Sequence, residues 1–162
     1  MGGMRRLFLL AGLVLAAACA APQSAVAAKP KGCLVPAEMQ TEQLVRHGVF
    51  LREAANHCND HKPQAGQMWK AFDTTYGKRL AAQTARRVTI FQREFPKTWR
   101  QMMTYFDGRM VTAYRNAPVE DLFCGDVQTL LTKIQRGGWP TFAQQAKVIQ
   151  DNVRLDFHEC GK

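Results

Sequence analysis

Residues 57–61 read His57-Cys58-Asn59-Asp60-His61, which sets two imidazoles, a thiol and a carboxylate within five positions. With His158 as a third imidazole, such groups could hold zinc or copper. The spacing matches no established ligand pattern, however, and it straddles a helix end and a turn. Histidine also suits the negative end of a helix dipole without any metal. No metal is therefore expected, and His57, His61 and His158 are the positions to watch.

A cysteine ligates as a thiolate, so the redox compartment decides what Cys58 can do. Arg5 and Arg6 precede an apolar run from Leu7 to Ala20, and Ala25-Val26-Ala27 follows as an A-x-A cleavage pattern. This predicts a secretory signal peptide over 1–28 and a periplasmic or secreted protein. The run is too short for a membrane span of about 20 residues. Ala16-Ala17-Ala18-Cys19 resembles a bacterial lipobox but has Ala16 where leucine is usual. Lipid anchoring through Cys19 is the secondary reading.

Cys33, Cys58, Cys124 and Cys160 remain, an even count that in an exported chain predicts two disulfides. If 36–58 is one helix, Cys33 and Cys58 lie more than about 30 Å apart. A disulfide needs Cα atoms within about 7 Å. Cys33–Cys58 is thereby excluded, and with it Cys124–Cys160. Cys58–Cys124 with Cys33–Cys160 is favoured; Cys33–Cys124 with Cys58–Cys160 stays open. The favoured set has a difficulty of parity. Five up-and-down helices put Cys33 and Cys160 at opposite ends, unless 33–40 runs back along the bundle or the second helix breaks near Gly77.

Other chemistry is sparse. His158-Glu159-Cys160 has the letters of a triad, but its cysteine is needed for a crosslink. Glu120 and Asp121 are adjacent, so they face different sides of a helix and suit its positive start. Met102, Met103 and Met110 fall within an apolar helical pattern, where methionine is commonly core filler rather than a copper ligand. No haem, thioredoxin, zinc-protease, phosphate-loop or nucleophile-elbow motif occurs. No catalytic residue and no cofactor are expected.

Charge is the most informative feature. The chain carries 22 Lys and Arg against 13 acids. Only Arg5 and Arg6 of these lie in 1–28, so the mature surplus is 20 against 13, or +7. Between 77 and 100 lie Lys78, Arg79, Arg86, Arg87, Arg93, Lys97 and Arg100, opposed only by Glu94. Arg79, Arg86 and Arg93 repeat at seven and share one helix flank. Such a stripe attracts anionic partners, and arginine favours bidentate contact with phosphate or carboxylate. The expected partner is an anionic envelope surface or an acidic protein face. Nucleic acid is not expected of an exported domain without interleaved exposed aromatics.

Five helical patterns carry these residues, each opening near a proline: Pro36, Pro63, Pro96, Pro118 and Pro140. They run over 36–58, 64–94, 97–115, 118–136 and 140–158. The second spaces Trp69, Phe72, Tyr76, Leu80, Val88 and Phe91 along one side, with Gly77 as a candidate bend. Gly137-Gly138 ends the fourth. The fifth steps through Phe142, Ala146, Ile149, Val153 and Phe157. His47 falls on the polar side of the first. No strand is predicted.

The expected fold is an all-α antiparallel bundle of about five helices over 36–160, stapled by disulfides, with 29–35 as a linker. The expected function is that of an exported, non-enzymatic binding or envelope-associated protein. A small-ligand or metal carrier and a periplasmic chaperone are the alternatives.

Overall fold

A computed structural model describes residues 32–161, with the backbone alone for 149–152. The expected leader, its expected cleavage site and Cys19 lie outside the described residues.

The described residues are mostly helical, with five α-helices: α1 (Pro36–His57), α2 (Pro63–Glu94), α3 (Trp99–Arg115), α4 (Asp121–Ala146) and α5 (Gln150–Asp156). Pro36 and Pro63 open α1 and α2, where a missing N–H costs nothing. Pro96 and Pro118 instead lie in the connections, and their helices begin three residues later. No helix among the described residues is long and apolar enough to cross a membrane.

A short strand pair also forms, where none was expected. β1 (Cys33–Leu34) and β2 (His158–Glu159) pair in parallel, Cys33 opposite His158. β1 falls inside the segment expected to be a linker. The Cys160 amide donates to the Leu34 carbonyl at 2.9 Å, and a Cys33–Cys160 disulfide closes the pair.

The fourth helical pattern is interrupted at the double glycine as expected, whereas the fifth is itself divided by a 3₁₀ turn. Gly138 has φ 63° and ψ −153°, a conformation that interrupts α4. A Cβ there would also come within 2.6 Å of the Tyr76 hydroxyl. After this break the chain turns back: Gln145 Nε2 donates to the Leu130 carbonyl at 3.1 Å. In an unbroken helix those residues would lie about 22 Å apart. A 3₁₀ turn over Lys147–Ile149 then leads into α5. The chain beyond it brings Cys160 to Cys33, the favoured pairing of the sequence. α2 runs unbroken through Gly77.

Two apolar clusters result. The larger joins Leu51, Ala55, Trp69, Phe72, Val127, Leu131, Ile134, Trp139 and Phe142 around the Cys58–Cys124 disulfide. The smaller joins Leu34, Met39, Ile90, Phe91, Phe106, Val153 and Phe157 near β1. α2 is long enough to serve both, and α1 touches each of the other four helices. α1 is thus the central element, and from Thr41 to Gly48 it is buried all round.

Candidate functional site

Burying a helix on every side also buries its polar residues, and they need partners. Glu42, Arg46 and His47 lie on α1 between Met39 of the smaller cluster and Leu51 of the larger. Arg87 of α2 donates from Nε to Glu42 Oε2 at 2.6 Å and from Nη1 to Asp107 Oδ1 of α3 at 2.7 Å. Arg46 donates from Nε to Glu42 Oε1 at 2.8 Å and from Nη1 to Asp156 Oδ2 of α5 at 2.7 Å. Arg109 of α3 closes on Asp156 at 2.7 Å. The result is one alternating chain, Asp107–Arg87–Glu42–Arg46–Asp156–Arg109, joining four helices.

Its centre is almost dry: Arg87 and Glu42 are each 1% exposed. Burial disfavours the Arg87 charge, yet Glu42 and Asp107 outweigh it and hold its pKa above the ordinary value. Arg87 and Arg46 also lie over the rings of Phe91 and Phe106, at 4.7 and 5.7 Å.

Beside this chain is a cavity of about 390 Å³ lined by Arg46, Arg109, Met110, Ala113, Tyr114, Leu155 and Asp156. Its polar floor is the Arg46–Asp156–Arg109 end of the chain. Its walls are apolar, and Leu155 at the rim is 84% exposed. Hydrogen bonding to Asp156 raises the pKa of Arg109 most. Burial raises that of Tyr114, against the opposing Arg46 charge. These groups can bind and orient a ligand.

His47 corrects an expectation. It is buried, 5.1 Å from the Phe142 ring and 3.2 Å from Gln145 Oε1, rather than on a polar side. Desolvation, only partly offset by Gln145, lowers its pKa from 6.5 to about 4. Above pH 6.5 the ring is neutral folded or unfolded and contributes no pH dependence. Between 6.5 and about 4 the unfolded state binds a proton that the folded state refuses, so stability falls as pH falls. The loss through that window is about 3 kcal/mol. Urea titrations at pH 7 and pH 4 measure it, and His47→Gln should flatten the difference. An unchanged slope in that variant would assign the acid lability elsewhere.

The basic stripe divides when folded. Arg87 leaves it altogether, because the flank 100° round the helix from Arg86 faces Glu42 of α1. Arg93 is held by Glu38 and Glu94. Its pKa is raised, chiefly by the Glu38 hydrogen bond. Arg79, Arg86, Lys97 and Arg100 are exposed, as is Lys78. Arg79 stacks over Trp139 and Arg100 over Trp99, both at 4.4 Å. Arg86 borders a groove between α1 and α2 that Arg93 and Glu38 also line.

At the other end of α1, His57 meets the Ala117 carbonyl at 2.7 Å and His61 meets Asp121 at 3.1 Å. Lys62 shares Asp121 at 3.0 Å. Lys62, then His61, hold the Asp121 carboxyl below its usual range. His158 does not join them. It sits in β2 beside Cys33, a whole 22-residue helix away. Cys58 is committed to Cys124, with Cα atoms 5.5 Å apart. Among the described residues no three His, Cys, Asp or Glu side chains gather as a metal cage.

The buried charge chain is what the sequence concealed. One local hint exists: Glu42 and Arg46 stand at i,i+4, a spacing that favours pairing on one face. Nothing local places Arg87, Asp107 or Asp156 beside them. Neither a protein-family model, nor a curated protein, nor a solved structure matches the chain.

Proposed function

We propose that this is an exported, non-enzymatic helical protein that binds an anionic partner of the cell envelope. The contact is made through Lys78, Arg79, Arg86, Lys97 and Arg100. The reading takes the helices as an antiparallel bundle and residues 1–28 as a secretory leader. One observation carries it. Seven arginines have carboxylate partners: Arg46, Arg52, Arg87, Arg93, Arg109, Arg115 and Arg154. Arg79, Arg86 and Arg100 are exposed and have none among the described residues. Neither do Lys78 and Lys97, so the 78–100 segment presents cations that no neighbouring carboxylate neutralises.

Such cations add on the order of 1 kcal/mol each at an anionic lipid surface, and the attraction is screened by salt. Co-sedimentation with vesicles containing phosphatidylglycerol should therefore show binding that weakens from low to physiological ionic strength. Reversal of Arg79, Arg86 and Arg100 to Glu should lower it by tenfold or more, on the order of the charge lost. The same charge change at Lys70, Lys133 and Lys147, outside the segment, should do far less. Equal losses in the two triple variants would reduce the effect to net charge and reject the surface. An acidic protein partner would appear instead as salt-sensitive capture without vesicle binding.

A further inference from the structure

The cavity between α1, α3 and α5 plays no part in the charged-surface reading, and its walls select a ligand chemistry of their own. We propose that it binds a small amphipathic organic acid. The carboxylate sits on Arg109 and Tyr114, and the apolar chain or ring lies against Met110, Ala113 and Leu155. At about 390 Å³ the cavity is at the small end of ligand sites, which run from about 300 to 1,000 Å³.

The floor is built before any ligand arrives. Arg46 is fixed between Glu42 and Asp156, and Asp156 is gripped by Arg46 and Arg109 together. Preorganised donors lower the cost of binding because little ordering remains to be done. Two guanidiniums and one carboxylate line the space, so its wall carries a net positive charge. A cationic ligand would have to take Asp156 from both arginines.

The groups with capacity left are donors. Arg109 meets Asp156 through Nη2, has Tyr105 as a second partner, and is half exposed. A guanidinium has five N–H donors, so others remain for an incoming oxygen. The Tyr114 hydroxyl has no hydrogen-bond partner among the described residues. Burial keeps that phenol protonated, and its ring is braced by Phe50 at 4.8 Å between centroids. Opposite these donors, Leu155 is an exposed leucine at the rim that an alkyl chain would cover.

Titration calorimetry of the full protein with octanoate, octan-1-ol and octylamine tests this. Octanoate should bind about tenfold tighter than octylamine, the scale of one charge-assisted hydrogen bond gained against one charge opposed. Ala113→Trp fills the space from an exposed position, and Arg109→Gln removes the anion's partner. Each should weaken octanoate by about tenfold or more, and Tyr114→Phe by several-fold. The Glu-reversed variant at 79, 86 and 100 should bind octanoate as the parent does, which separates this site from the basic surface. Octylamine matching octanoate would overturn the proposal. So would affinity unmoved by both Ala113→Trp and Arg109→Gln, or no octanoate binding up to millimolar concentration.

Discussion

Glu42→Gln should destabilise the protein by about 3–5 kcal/mol, the cost of breaking a buried ion pair and leaving its partner charged in a dry site. The change is nearly isosteric, so packing loss does not confound it. Its severity follows from Glu42 being shared: one carboxylate serves both Arg87 and Arg46. Arg87→Met should be costly for the converse reason, since it strands Glu42. Glu42→Met with Arg87→Met should cost clearly less than the two single changes added, because neither charge is then left alone. Urea unfolding with the disulfides intact gives all three values. Arg52→Gln, at an exposed arginine paired with the rim of Glu53, is the control and should shift stability by about 0.5 kcal/mol or less. A Glu42→Gln effect below about 1 kcal/mol would mean that water reaches the centre of the charge chain.

The disulfides should differ in accessibility while being comparable in thermodynamic weight. They close spans of 66 and 127 residues, which in the chain-entropy model corresponds to about 4 and about 5 kcal/mol. Cys58 and Cys124 are fully buried within the larger cluster, whereas Cys33 and Cys160 are half-buried beside the β1–β2 pair. Thiolate attack needs access to sulfur, so mild reduction should open Cys33–Cys160 first. Alkylation followed by peptide mass spectrometry should show Cys33 and Cys160 labelled while Cys58 and Cys124 stay protected. Opening this bond frees the segment after α4 from β1 and uncovers Phe91 and Phe106, which now hold Phe157. Apolar dye binding should rise in that first step. Removing Cys58–Cys124 by paired serine substitution should instead lower the urea midpoint of the whole unit by its full share. Parallel labelling of all four cysteines would contradict the order.

Much of the fold is legible in the residues because helix periodicity is a local property. α2 buries Trp69, Phe72 and Phe91 from its predicted row, and α4 buries Val127 and Ile134 from its own. The cysteine pairing is legible for a similar reason: the length of α1 alone forbids Cys33 from reaching Cys58. The turn at Gly138 was half visible. A double glycine marks an interruption, but the direction of the chain beyond it depends on what Gln145 and Phe142 find to contact.

The candidate sites were less legible. Arg86 and Arg87 are neighbours with the same side chain, yet one is exposed and the other is among the most buried residues in the protein. Periodicity says that they point about 100° apart; it does not say which direction holds a carboxylate. That depends on Glu42, 45 residues earlier. His47 is expected on the polar side of α1 for the same reason: its partners, Gln145 and Phe142, lie about a hundred positions away.

By itself, then, the amino-acid sequence determined the helical class, the prolines that open α1 and α2, the surplus of positive charge and which cysteine pairs were geometrically possible. These follow from spacing along the chain and from bond reach, both local quantities. Only the tertiary structure decided that α1 lies at the centre. Which cations reach solvent, and that a cavity opens beside Arg109, were settled with it. Those outcomes depend on contacts between residues tens of positions apart, where packing, rather than local preference, sets what each side chain meets.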